Sequence, residues 1–128
     1  MSRSTFILIL CIYGILQGIA MLLIPAFVSK NFGGDPTNQF ELSLWGFFGI
    51  INIASCIIYL NLRKSTDNQL VKTYLLVIGC AYFAIFGFSI FNHFVRGLPF
   101  NASSPVDYTL WIIFGAGALY YWGKSEKN

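Results

Sequence analysis

Residues 6–28 read FILILCIYGILQGIAMLLIPAFV, a run of 23 residues without Asp, Glu, Lys or Arg. An α-helix rises about 1.5 Å per residue, so about 20 apolar residues cross a hydrocarbon core roughly 30 Å thick. The run also exceeds the apolar region of about 7–15 residues found in cleaved signal peptides, and it lacks a small-x-small cleavage site. It therefore predicts a retained transmembrane helix.

Three more apolar runs follow along the chain. We predict transmembrane spans near residues 6–28, 42–62, 70–95 and 105–123. Asn38 and Thr66 are the predicted N-caps of the second and third helices, with Glu41 and Gln69 three residues later. The fourth helix is long enough to cross the bilayer if Ser104 is its N-cap and Pro105 its first residue.

The overall composition agrees with this interpretation. Hydrophobic residues make up 56% of the chain and charged residues 10%, which is far from the balance of a soluble domain. The net charge of +3 comes with no basic stripe, so nucleic acid is not a predicted partner. We predict an all-α fold, a single membrane domain forming an up-down-up-down four-helix bundle, with the lipid bilayer as its surroundings.

Basic residues indicate the orientation. One side of the predicted topology holds Arg3, Arg63, Lys64, Lys72, Lys124 and Lys127, and the other holds Lys30 and Arg96. By the positive-inside rule both termini are cytoplasmic, and we expect a multi-pass protein of the bacterial inner (cytoplasmic) membrane. The triplet at residues 101–103, Asn-Ala-Ser, fits the N-glycosylation pattern on the outer side, but such triplets recur by chance.

A polar stripe on the third predicted helix is the best candidate for a site. Polar side chains inside a membrane are costly and usually face the protein interior. The candidate ligand-binding residues are Ser89, Asn92, His93 and Arg96 at i, i+3, i+4 and i+7, with Tyr82 on the same face and Trp45 near the outer interface. In the functional interpretation His93 binds a ligand or carries a proton and Arg96 attracts an anionic head group. In the alternative, Arg96 snorkels to the surface and the helix end is merely hydrated.

Gln17 and Asn52 are predicted to lie at similar depth on the first two helices. A direct hydrogen bond between them would stabilise the helix pair by about 0.6–2 kcal/mol. We expect both residues to make interhelical polar contacts.

No catalytic or metal site is predicted. Cys11, Cys56 and Cys80 fall one per helix without a redox pair, and a single His is too few for a typical zinc site. The sequence also lacks a phosphate loop, a nucleophile elbow and paired deep carboxylates. We expect no cofactor and find no positive sign of an enzyme.

The first 50 residues resemble the DoxX-like family of small four-helix membrane proteins. The shared features are Tyr13-Gly14 with Gly18, Pro25 closing the first span, the Phe32-Gly33-Gly34 loop, and Leu44-Trp45-Gly46 opening the second span. The resemblance implies a four-span architecture. Some DoxX-like members are linked to membrane redox complexes, but the family offers no catalytic motif to transfer.

Four functional hypotheses follow. The first is a bundle that binds a hydrophobic or amphipathic small molecule in its outer half, and the alternative is a structural or accessory subunit of a membrane complex without its own ligand. A transporter would need oligomerisation to provide alternating access, and an enzyme acting on sterols or isoprenoids would depend on His93. Assembly into a homo-oligomer stays open.

Overall fold

The computed structural model describes residues 1–100 and 104–124 of the chain. The helices are α1 (Arg3–Leu23), α2 (Pro25–Asn31), α3 (Gln39–Leu62), α4 (Asn68–Phe94) and α5 (Ser104–Gly123). The predicted all-α class is confirmed for these residues, which contain no β-strand. The glycosylation triplet at 101–103 lies outside the described residues.

Three of the helices have the length and hydropathy needed to cross a membrane. They are α1, α3 and α4, with mean hydropathies of 2.5, 1.8 and 2.1 over their most apolar segments. Helix α5 is 20 residues long, which is about 30 Å at 1.5 Å per residue. The protein is therefore a helical chain with three membrane-spanning candidates and a fourth helix of membrane-spanning length.

The first apolar run differs from its prediction at Pro25. The predicted span 6–28 is divided, because α1 ends at Leu23 and Pro25 occupies the first turn of the short helix α2. Proline has no backbone N–H and its ring clashes with the preceding turn, so it cannot continue α1. Ile24 closes α1 through a bond from its N–H to the carbonyl of Ala20.

The starts of α3 and α4 show one agreement and one correction. Asn38 caps α3, where its side chain accepts bonds from the N–H groups of Phe40 and Glu41. The cap of α4 is Asp67 and not Thr66, because the Asp67 carboxylate accepts from the N–H of Leu70 at 3.0 Å. A carboxylate at this position also interacts favourably with the positive end of the helix dipole.

Internal contacts divide the chain into two units, Met1–Lys64 and Ser65–Asn128. In the first unit α1 packs against α3. A Cβ added to Gly18 would lie 2.8 Å from the carbonyl oxygen of Gly49 and 2.6 Å from Cγ1 of Ile53. Only glycine permits this backbone approach, which is how helices associate where lipid removes the hydrophobic driving force.

The second unit is an antiparallel pair of α4 and α5. Tyr82 lies 5.8 Å from Phe114, and further along α4 Phe86 lies 5.5 Å from Tyr108, measured between ring centroids. Near the middle of α4, a Cβ on Gly79 would lie 2.8 Å from the side chain of Leu119. Because residue numbers rise on α4 as they fall on α5 in these contacts, the two helices are antiparallel, and they lie side by side from Gly79 to at least Phe86 of α4.

Candidate functional site

Two polar side chains of the first unit take partners other than each other. Asn52 Nδ2 donates to the carbonyl oxygen of Gly14 at 2.9 Å and so joins α3 to α1. Gln17 Nε2 donates to the hydroxyl of Tyr13 at 2.7 Å within α1. The predicted direct bond between Gln17 and Asn52 is thus replaced by one interhelical and one intrahelical contact.

The carboxylate of Glu41 organises the connection between α2 and α3. Ser29, which is fully buried, donates its hydroxyl to Glu41 Oε1 at 2.6 Å. The N–H of Asp35 donates to Oε2 at 3.1 Å, and the indole of Trp45 contacts Oε1 at 3.4 Å. Charged acceptors make stronger hydrogen bonds than neutral ones, so this residue fixes the loop in addition to lying in the first turn of α3.

Trp45 is thereby placed among the residues that hold this loop. Its ring stacks on Phe32 at 5.3 Å with an interplanar angle of 27° and meets Phe48 edge-on at 6.3 Å. These contacts lie in the Met1–Lys64 unit. The structure gives Trp45 a packing role there.

His93 lies in the last turn of α4 and closes the turn that follows. Its Nδ1 is 2.8 Å from the carbonyl oxygen of Leu98. A carbonyl can only accept, so Nδ1 carries the proton and Nε2 is the acceptor nitrogen of the neutral ring. The Leu98 N–H bonds in turn to the carbonyl of Asn92 at 3.1 Å, and Gly97 takes a positive φ of 68°.

The ring of Tyr108 is the centre of an aromatic group that we call the Tyr108 cluster. Its members are Phe86 and His93 of α4, Phe100 of the connection, and Tyr108 and Trp111 of α5. The centroid of Tyr108 is 5.5 Å from those of Phe86 and Trp111 and 5.9 Å from those of His93 and Phe100. These separations are typical of favourable edge-to-face and tilted aromatic pairs.

Within the described residues 1–100 and 104–124, two side-chain oxygens toward this end of α4 and α5 are buried without a hydrogen-bond partner. They are Oδ1 of Asn92 and the hydroxyl of Tyr108. Leaving such a group unpaired costs about 1–3 kcal/mol, so buried orphans are rare and call for an explanation. A bound polar group would supply the missing partners.

The remaining members of the predicted stripe have different positions. Tyr82 packs on Phe114, and Ser89 is half-buried one turn before His93. Arg96 lies outside the stripe, because α4 ends at Phe94 and the chain turns before the i+7 position. Its guanidinium lies 5.7 Å from the ring centroid of Phe88 and 5.5 Å from that of Phe91, on exposed side chains. Of the predicted stripe, the structure therefore places His93 in the Tyr108 cluster, with Asn92 as the residue before it, and leaves Arg96 beyond the end of α4.

Sequence reasoning missed the central residue of the cluster. Tyr108 lies just after the predicted start of the fourth helix and is not among the predicted site residues. The available signal was its spacing of three from Trp111, which places both rings on one face of α5. Phe100 and Leu98 belong to a turn, whose contacts no periodicity predicts.

Comparison with known proteins gives one partial similarity. No family model matches the chain, and no solved structure matches it. Over 117 residues, which are 90% of the chain, it is 28% identical to the meiotically up-regulated gene 126 protein of Schizosaccharomyces pombe. The matched part is 29% of that protein, so the chain spans less than a third of the length of this relative.

Proposed function

We propose that this protein crosses the membrane four times and binds an amphipathic small molecule at the Tyr108 cluster, in the outer half of the bilayer. The observation that carries the proposal is the buried Tyr108 hydroxyl, which has no hydrogen-bond partner among the described residues and belongs to a group of aromatic rings that includes His93. The second such oxygen, Oδ1 of Asn92, belongs to the residue before His93. Small-molecule sites combine apolar and aromatic walls with a few polar groups that fix orientation. Buried polar groups without partners are uncommon in native proteins, which supports a site at this position.

The antiparallel α4–α5 pair supports four spans. If α4 crosses the bilayer, α5 runs beside it from the level of Gly79 to that of His93, and this side-by-side course supports a crossing by α5 as well. The basic residues agree, because four spans give six against two of them on the two sides, whereas three spans give four against four. The positive-inside rule then favours cytoplasmic termini.

Three finer expectations belong to the proposal. The two helix pairs would form one four-helix bundle, the architecture would be related to that of DoxX-like proteins, and the membrane would be the bacterial inner membrane. The similarity to a yeast protein makes a eukaryotic membrane the competing location. The proposed binding function is the same in either membrane.

The chemistry of the site suits binding more than catalysis. His93 uses Nδ1 to hold the turn at Leu98, which leaves Nε2 as a hydrogen-bond acceptor. A general acid–base mechanism needs a second group placed against the reacting atoms. The proposal therefore gives His93 the role of a ligand contact.

Native mass spectrometry of the protein, released gently from its own membranes, tests this function. We expect wild type to carry a bound small molecule that His93→Ala loses. Phe94→Ala is the matched control, because Phe94 is the next residue and is 84% exposed. It should retain the bound mass.

Two results would overturn the proposal. One is a wild-type protein without any bound molecule, and the other is an equal bound mass in His93→Ala. A stoichiometric protein companion in place of a small molecule would establish the accessory-subunit alternative.

A further inference from the structure

The packing of α1 on α3 brings together two cysteines that no sequence motif links. Cys11 of α1 is 1% exposed, Cys56 of α3 is 5% exposed, and their thiols hydrogen-bond to each other. Both are free thiols. The sequence predicts no redox pair because the two residues are far apart along the chain, whereas the helix contact makes them neighbours.

Glycine at position 14 is what lets the Cys56 sulfur reach α1. A Cβ added to Gly14 would lie 2.5 Å from Sγ of Cys56. Gly14 comes three residues after Cys11, so both lie on the same face of α1. A disulfide needs Cα atoms about 4.4–6.8 Å apart, and two helices in such close contact provide the packing that this short separation requires.

The polar groups beside the two sulfurs suit thiol chemistry. Sγ of Cys56 lies 4.0 Å from Oδ1 of Asn52, whose Nδ2 is held by the carbonyl of Gly14. Asn52 can accept from the Cys56 thiol, which leaves a sulfur lone pair to accept from Cys11. The charge of Arg63 also acts on Cys11. A nearby cation stabilises the negative charge that develops on a thiol sulfur as it reacts.

The burial of the pair restricts the oxidant that can reach it. A quinone ring or a charged oxidant needs an opening, which residues exposed by 1% and 5% do not offer. Hydrogen peroxide is neutral and little larger than water. It can therefore cross the bilayer and enter through local opening of the helix pair.

We propose that Cys11 and Cys56 are a peroxide-sensitive disulfide site that cross-links α1 to α3. One sulfur attacks hydrogen peroxide, so that an S–O bond forms, the O–O bond breaks and one water leaves, giving a sulfenic acid. The second sulfur attacks the sulfenic sulfur, the S–S bond forms, the S–O bond breaks and the hydroxyl leaves with the thiol proton as a second water. The two sulfurs lose two electrons, and the two peroxide oxygens gain them.

Peptide mapping of the full chain in its native membranes tests the site. The membranes are treated with hydrogen peroxide, remaining thiols are blocked with N-ethylmaleimide, and the denatured protein is cut by endoproteinase Lys-C. Lys30 is the only lysine between the two cysteines. Fragments 1–30 and 31–64 should therefore stay joined without reductant and separate with it, while the uncut protein runs as a monomer.

The third cysteine provides the matched control. Cys80 is exposed on α4 and should carry maleimide after the same treatment. Cys80→Ser should keep the link between the fragments, and Cys11→Ser should abolish it. Tetramethylbenzoquinone in place of peroxide should leave both buried thiols free, because its ring cannot reach them. The decisive result comes from wild type, and the variants identify the partners.

Three results would overturn the inference. The first is fragments that separate without reductant after peroxide treatment, and the second is a link found only in a covalent dimer of the uncut protein. The third is equally fast cross-linking by tetramethylbenzoquinone, which would show that the pair is open to bulky oxidants.

Discussion

Asn52 of α3 donates a hydrogen bond of 2.9 Å to the backbone carbonyl of Gly14 on α1. Gly14 is a buried residue of α1. The bond therefore adds a polar link between two apolar helices without exposing the backbone. Interhelical bonds of this kind are among the few forces that hold helices together in lipid.

Replacing Asn52 should weaken the α1–α3 pair. We expect Asn52→Leu to lower the free energy of unfolding by about 0.6–2 kcal/mol. Reversible unfolding in mixed micelles measures this loss of unfolding free energy. Asn61→Leu is the control, because Asn61 is exposed and bonds within its own helix to the carbonyl of Ile57. Equal losses in the two variants would contradict the interhelical role of Asn52.

The close approach of α1 and α3 predicts opposite effects of two glycine substitutions. Gly18→Ala places a Cβ against the carbonyl of Gly49, where neither backbone can yield, and should cost about 1–3 kcal/mol of unfolding free energy. Gly46→Ala adds a methyl group with nothing within 4 Å and improves helix propensity. Thermal stability in detergent should fall for the first variant and hold or rise for the second. A destabilised Gly46→Ala would instead indicate a neighbour packed on that face.

The Glu41 carboxylate should govern the order of the α2–α3 connection. Glu41→Gln replaces an acceptor oxygen by an amide donor, so the bonds from Ser29 and Asp35 cannot both be kept. We expect faster amide hydrogen exchange at Asp35 and its neighbours. Ser43→Ala, an exposed change on the same helix, should leave this exchange unaltered. Unchanged exchange in Glu41→Gln would show that the loop is held by other contacts.

The exposed loop carboxylate of Asp35 should titrate at a lower pH than an ordinary aspartate. The hydroxyl and N–H of Thr37 donate to it and lower its pKa below the usual 3.8. Since the folded-state pKa is depressed, its stabilising contribution is complete above the ordinary value and is lost as the pH falls through the lowered pKa. Thr37→Val should raise the pKa in a ¹³C carboxyl titration. Thr5→Val is the remote control, and identical curves for wild type and Thr37→Val would exclude the bond.

The positions of the helices were largely predictable because uncharged runs and cap residues are local signals. The first span is an exception, because hydropathy alone does not show where its helix ends. Pro25 lies inside an uninterrupted apolar run, and α1 ends just before it. Asp67 and Thr66 are adjacent and both suitable as caps, and only the geometry of the connection selects Asp67.

Partners across helices were harder to predict. Asn52 makes an interhelical bond, but its acceptor is the backbone carbonyl of Gly14, whereas Gln17 donates to a tyrosine of its own helix. The polar stripe predicted Asn92 and His93, which the structure brings to one end of α4. The prediction for Arg96 assumed that the helix continues to residue 96, but α4 ends at Phe94. Tyr108 contacts His93 because α5 packs antiparallel to α4, which no local sequence pattern predicts.

The proposed site requires α5 to cross the membrane beside α4, since that crossing places the Tyr108 cluster inside the bilayer and both termini on one side. Single cysteines at Ser2, Thr37, Ser65 and Lys124, in a protein whose native cysteines are replaced by alanine, should be tested with a membrane-impermeant maleimide in intact cells. The account predicts labelling from outside at Thr37 and protection at the other three positions until the cells are permeabilised. Labelling of Lys124 together with Thr37 in intact cells would mean three spans and would contradict it.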